Sequence, residues 1–458
     1  MMKPIDRQIL RLAIPSILAN ITVPLVGMAD IAVAGHLASE SAALIGGITI
    51  GSMLFDLLYW NFAFLRAGTG GMTAQAYGRG DMGYAADTLS RALGISLVAA
   101  VLLLLSQWLV VSVVFLFVDC SPEVRELAES YFFIRIWAAP ATLSLMAFKG
   151  WFIGMQDTVS PMAADIIVNV TNVAMSIALS FGFGPFPALG FTGVAWGTVT
   201  AQYIGLLFSL AVVAIKYKGV FRGYGLSRIV ASFRGPDIKS FFKTNADLFV
   251  RSVCFIAVYI GYTIISARYG DLLLASSSII MKLMLFFSYF TDGFAYAGEA
   301  LTGKYTGRRD ISSVRLTVRH TFIWSMGIGM LFILINALVS VPLFRLMTSD
   351  AAVVDVSGNF IIWLVLVPLF GCPAFTWDGI YLGATATRAI RNSSLWSVAA
   401  FFAVWLGGIA LTGLPFSSTE TLVPAIHLLL MAYLAHLAAR TISLSITYRS
   451  AIMVPLSK

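Results

Sequence analysis

Charge is scarce in this chain. Only 11% of its 458 residues are Asp, Glu, Lys or Arg, against about a quarter in a soluble globular domain; 59% are hydrophobic and mean hydropathy is +0.87. That excludes water as the main solvent. Three cysteines, Cys120, Cys254 and Cys372, offer neither metal spacing nor a disulfide framework. Four histidines without an HExxH pattern argue against a metal hydrolase. No glycine-rich loop ends in Lys-Ser/Thr, so no ATPase and no cofactor is expected, and energy must come from an ion gradient or a partner. No nucleophile with a base and no two-acid pattern is found, so no catalytic residue is assigned and an enzyme is not expected. The ten-residue alternation of a membrane β-barrel is also missing.

What the chain does have is apolar runs. Twelve reach the roughly 20 residues that a hydrocarbon core requires: 12–35, 44–68, 92–117, 131–154, 161–183, 193–215, 242–267, 272–301, 322–344, 360–383, 395–414 and 422–446. The fold class is therefore an all-α integral membrane protein with twelve transmembrane helices. Met1 to Arg11 leads straight into a full-length span with no small-residue cleavage site behind it, so the first span is expected to be retained.

The net charge of +8 is distributed for a membrane and not for nucleic acid. With both termini placed in the cytoplasm, 21 Lys and Arg, including Lys458, fall on the inner side and only Arg125, Arg268 and Arg345 on the outer side. This bias sets both termini in the cytoplasm of a multi-pass inner-membrane protein. Arg66, Arg135, Lys149, Arg251, Lys282 and Arg440 lie within spans and need partners.

The second half repeats the punctuation of the first. Tyr77-Gly78-Arg79-Gly80-Asp81 recurs 229 residues later as Thr306-Gly307-Arg308-Arg309-Asp310, and Gly150-Trp151-Phe152-Ile153-Gly154 recurs as Gly379-Ile380-Tyr381-Leu382-Gly383. Ser121 and Pro140 have counterparts in Ser349 and Pro368. Six spans per half make this a parallel repeat. The expected division is a six-helix lobe over 1–215, a cytoplasmic connector over 216–241 and a second six-helix lobe over 242–458. Two such lobes suit alternating access better than a fixed pore, and they let a monomer suffice.

Acids inside spans are the functional candidates, because an aspartate at a helix centre costs about 2.5 to 3.5 kcal/mol on insertion scales. Asp30, deep in the first span, is out of reach of simple snorkelling; desolvation disfavours the charged form of such a group, which would let it carry a proton. The competing reading is a structural carboxylate paired with an Arg. Asn169, Asn172 and Ser176 fall on one helix face in the fifth span, and Thr198 and Thr200 lie in the sixth. Their oxygens are expected either to support a carboxylate or a small cation, with a possible Na⁺ site at Asp30, Asn172 and Thr198, or to glue helices together. The second half carries Asp292, Glu299 and Asp378, which Arg251 and Lys282 would neutralise; Asp378 also suits a structural cap. These seven residues, Asn169, Thr200, Arg251, Lys282, Asp292, Glu299 and Asp378, are the candidates for a substrate cavity or polar network.

At these landmarks the chain resembles the multidrug and toxic-compound extrusion (MATE) transporters, and among them the DinF-like branch. The resemblance rests on Pro15, Pro24, Asp30, His36 and Leu37 in the first span and on Phe64-Leu65-Arg66 with Thr69-Gly70-Gly71 and Thr73-Ala74-Gln75 in the second. It continues in Asp292-Gly293-Phe294-Ala295-Tyr296-Ala297-Gly298-Glu299 and in Asp378-Gly379-Ile380 with Gly383, Thr385, Ala389, Arg391 and Asn392. It spans residues 7 to 446. It implies an antiporter that exports small organic cations or other amphipathic compounds against H⁺ or Na⁺, with membrane lipids as its other partner. It also implies that Asp30 is the coupling carboxylate and that Asn172, Ser176 and Thr198 belong to the same ion-coupling cluster. Many relatives carry a second Asp on the fifth span where this chain has Ser176, and some carry a Glu on the seventh where it has none. Both departures favour H⁺ over Na⁺. A flippase for a lipid or lipid-linked precursor is the nearest rival, but it would be expected to gather several cations for pyrophosphate, and here they are scattered.

Overall fold

Backbone polar groups in lipid have no water to bond, so spanning segments satisfy themselves as helices. The computed structural model describes residues 3–37, 42–116, 118, 120–184, 187–234, 237–418 and 422–457. Its helices are α1 (Pro4–Gly35), α2 (Ala42–Trp60), α3 (Ala63–Arg79), α4 (Met82–Val114), α5 (Pro122–Arg135), α6 (Ala139–Gly154), α7 (Val159–Phe181), α8 (Phe191–Lys216) and the short α9 (Leu226–Ser232). They continue as α10 (Asp237–Ala267), α11 (Asp271–Gly307), α12 (Ile311–Met347), α13 (Ala351–Gly358), α14 (Ile361–Gly383), α15 (Thr387–Thr412) and α16 (Val423–Tyr448). Among the described residues there is no strand, and twelve segments are long and apolar enough to cross a membrane. Leu105, Ile215 and Leu411 are 77%, 80% and 90% exposed, as side chains facing lipid can be and side chains facing water rarely are.

The helices outrun the apolar windows because polar residues cap them. Asp81 starts α4 by accepting from Tyr84 N at 2.9 Å, and Asp310 starts α12 by accepting from Ser313 N at 3.0 Å. Before these caps the chain turns through the left-handed region, at Gly80 with φ 76° and at Arg309 with φ 58°. Met82 and Ile311, Pro122 and Ala351, and Gly154 and Gly383 start or end helices at the 229-residue offset, consistent with the repeat read from the sequence. Phe117, the expected end of the third span, and Lys458 lie outside the described residues.

Two compact units emerge, residues 18–245 and residues 1–17 with 246–458. The boundaries differ from the expected 1–215, 216–241 and 242–458. The first 17 residues of the chain group with the second unit, and the connector together with the start of α10 groups with the first. The reason lies in contacts that composition does not announce. Asp6 Oδ1 lies 2.7 Å from His320 Nδ1 and accepts from Trp324 Nε1 at 2.9 Å, Tyr305 donates to Gln8 Oε1 at 3.1 Å, and Gly293 lies against Ala13 O and Ile17. In the other unit Arg91 Nε donates to Ser232 O at 2.8 Å, and Gly68 packs on Asn245.

The core of the 18–245 unit gathers Phe55, Leu65, Tyr131, Phe132 and Leu143, with Phe148, Trp151 and Phe152 in a separate cluster. The second unit is built around Tyr262, Phe287, Phe332, Phe360, Phe401 and Trp405. In each, glycines bring two backbones together. Gly150 on α6 faces the carbonyl oxygen of Arg66 on α3, and Gly379 on α14 faces that of Ala295 on α11.

Candidate functional site

Helix α8 presses on α7 through Gly193 and Gly197, where a Cβ would stand 2.6 Å from the backbone nitrogens of Ser180 and Ser176 respectively. That approach sets Thr198 opposite Asn172, whose Nδ2 donates to Thr198 Oγ1 at 2.8 Å; Thr198 in turn donates to Val194 O at 3.2 Å. One turn along α7, Ser176 Oγ donates to Asp30 Oδ1 at 3.4 Å and lies 3.5 Å from Val194 O. Asp30 is 4% exposed, Asn172 and Ser176 1%, and Thr198 5%. The four residues thus form one buried cluster across α1, α7 and α8. The Oδ1 atom of Asn172 is buried and accepts no hydrogen bond among the described residues.

Asp30 is not locked into an ion pair among the described residues. Arg135 acts on it through space only. Its guanidinium is engaged elsewhere, donating to Tyr131 OH at 2.9 Å and Ser52 Oγ at 3.2 Å and lying 4.8 Å over the ring of Phe55. A carboxyl with one long hydrogen bond and a cation held off contact can exist with or without its proton. Among the described residues no three His, Cys, Asp or Glu come together as a metal group. A Na⁺ ion here would draw on the Asp30 carboxylate and Asn172 Oδ1, with Thr198 Oγ1 already engaged.

The other candidates divide. Asn169 donates to Thr22 Oγ1 at 2.5 Å, a bond between α7 and α1 in the same unit. Thr200 turns back on its own helix, donating to Trp196 O at 2.8 Å, and does not join the cluster. Asp378 is clamped by Arg251 at 2.6 Å and Arg440 at 2.5 Å, both on Oδ2. Lys282, expected among its neutralisers, is exposed instead, and Arg440 on α16 fills the role. Glu299 is fully buried and Asp292 half-buried, both on α11.

Several polar groupings were not read from the sequence. Lys149 pairs with Asp165 at 2.8 Å across α6 and α7, and Arg391 pairs with Asp247 at 2.7 Å, where Thr387 also donates at 3.1 Å. In the turn between α6 and α7, Asp157 accepts from Lys216 at 2.6 Å, Tyr217 at 2.8 Å and Ser160 Oγ at 2.5 Å. Burial alone would raise the Asp157 carboxyl, but these donors outweigh it and hold it below the usual carboxylate range. Burial and the Asp157 charge push the Tyr217 hydroxyl up. The available signal was the unpaired in-span charge, which flagged Lys149 but gave no partner.

The sequence family described as MatE matches residues 15–178 and 248–407. The chain is 31% identical over 444 residues to DNA damage-inducible protein F of Escherichia coli (strain K12), covering 97% of this chain and 92% of that protein. It is 24% identical to "Probable multidrug resistance protein NorM" of Photorhabdus laumondii, over 88% of this chain and 86% of the relative. A solved structure described as MATE in the bent conformation superposes with a TM-score of 0.82 at 15% identity, covering 100% of this chain and 98% of that one.

Proposed function

From the chain's membership of the MatE family of membrane transporters, we propose that it is a secondary active antiporter with Asp30 as coupling carboxylate. It exports organic cations or other amphipathic compounds in exchange for H⁺ by alternating access. The relatives' multidrug-resistance names support the substrate class. The protein lies in the inner membrane, and the Lys and Arg distribution supports both termini in the cytoplasm.

The observation that carries the reading is the state of Asp30, which is 4% exposed and, among the described residues, bonded only by Ser176 at 3.4 Å, with Arg135 held off contact. Ionised, the carboxylate is supported by Ser176 and the field of Arg135. Protonated, it becomes a hydroxyl donor itself, and it loses its attraction to Arg135. The two protonation states therefore favour different local packings, which is the differential interaction that a driven conformational change requires. Asp30 is the one carboxylate of the cluster among the described residues, which gives a sodium ion less charge than two carboxylates would.

Proteoliposomes loaded with a cationic dye such as ethidium test this. Acidifying the outside should drive dye loss, and adding Na⁺ outside at constant pH should not. Dye loss driven by Na⁺ alone would overturn proton coupling, and no response to either gradient would overturn antiport.

A further inference from the structure

Within residues 246–458 two guanidiniums close on one carboxylate oxygen. Arg251 and Arg440 reach Asp378 Oδ2 at 2.6 and 2.5 Å, and their guanidinium carbons lie 4.4 and 4.5 Å from the centre of the Phe255 ring. His436, one turn before Arg440 on α16, sets its own ring centre 6.1 Å from that of Phe255. A buried ion pair is in balance with one cation for one anion; here two cations share one anion. A positive charge is left over in surroundings where unpaired charge is costly. The hydrogen-bond accounting points the same way. Arg251 Nε is buried without a partner among the described residues. A purely structural bridge needs neither the second guanidinium nor the idle Arg251 Nε. Arg440 and Asp378 are closed in, with side chains 3% and 7% exposed, but Arg251 is 16% exposed and Phe255 and Phe375 are half-buried, so the cluster is open on that side.

We infer that Arg251 and Arg440 form, around Phe255, a binding site for the anionic head of an amphipathic organic acid, a carboxylate or sulfonate on an apolar body. The planar forks of two arginines match the geometry of such a group and take it more strongly than a point charge would. Phe255, together with Phe375 at 5.5 Å from the Arg440 guanidinium, offers apolar surface for the body. An organic cation meets net repulsion at the same place. The inference rests on the transport reading and deepens it, assigning an acid-selective site to the second unit in addition to the proton site on Asp30.

Two probes with one apolar body and opposite charge separate the outcomes, 1-pyrenebutanoate and 1-pyrenebutylammonium. Each is titrated against the full-length protein in nanodiscs of zwitterionic lipid, with tryptophan-to-pyrene energy transfer as the readout. The wild type should bind the carboxylate at least tenfold more tightly than the ammonium. Arg251→Gln, at the open end of the cluster and chosen because the deeply buried Arg440 is the riskier residue for folding, should erase that preference. Arg251→Lys should restore part of it, and Asp30→Asn should keep it whole. Equal affinity for the two probes in the wild type, or an unchanged preference in a monodisperse Arg251→Gln protein, overturns the site. Failure of proton-driven dye export with the preference intact would instead fault the antiport reading.

Discussion

Ser176 Oγ stands 3.4 Å from Asp30 Oδ1 and is the only hydrogen-bond donor that Asp30 has among the described residues. The bond is long, so its contribution is small beside the loss of the carboxyl itself. Ser176→Ala should slow proton-driven dye export roughly fivefold, in keeping with a hydrogen bond of about 1 kcal/mol. Initial rates in proteoliposomes, normalised to protein in the membrane, measure it; a complete loss would give Ser176 a larger part than the geometry assigns.

Among the described residues Asp378 is the sole carboxylate paired with the buried Arg440 and the half-buried Arg251. Asp378→Ala should destabilise the protein by about 3 to 5 kcal/mol, the usual consequence of stranding a buried charge. The change should appear as a large drop in the unfolding midpoint followed by size-exclusion fluorescence. Lys282→Ala, which removes an exposed side chain, should leave the midpoint where it is.

Gly150 and Gly379 hold α6 on α3 and α14 on α11 at a distance that admits no Cβ. Gly379→Ala drives the new methyl group into the carbonyl oxygen of Ala295, and Gly150→Ala into that of Arg66. Each should cost about 1 to 3 kcal/mol, the range for overpacking. Gly327→Ala is the control, since its Cβ meets nothing within 4 Å. Thermal unfolding of the three variants should separate the first two from the third.

Acid should weaken the turns outside the spans. Hydrogen bonds from Ser312 and Ser313 lower Asp310 from 3.8 to about 2, and the donors around Asp157 overcome its burial to lower it as well. Both groups have folded values below unfolded ones, so their stabilisation is present above pH 3.8 and is lost as pH falls through the folded values, towards 2 for Asp310. The unfolding midpoint should therefore decline as pH drops from 5 to 3. In Asp157→Asn the midpoint should start lower at pH 7 and decline less. An equal decline in the variant would remove Asp157 from the effect.

The spans were legible because a membrane demands an apolar length that few other structures need, and Asp30 was legible because an acid in such a length stands out. Pairings were not. Arg440 and Asp378 lie 62 residues apart, and nothing in either segment names the other. The same holds for Asp157 and Lys216, 59 apart. Composition runs unbroken through Ile17, so the sharing of α1 between two compact units left no mark. Thr200 stands apart from the Asp30 cluster because residues two apart on a helix do not share a face and Thr198 occupies the inner one.

Proton flux through Asp30 is open to direct measurement. Proteoliposomes containing trapped pyranine report whether outward movement of a cationic substrate brings protons in, with the wild type compared against Asp30→Asn at equal protein content. Substrate-dependent acidification of the lumen is expected in the wild type and none in Asp30→Asn, which should still bind the substrate. Substrate-driven acidification of the same rate in Asp30→Asn would contradict coupling through Asp30.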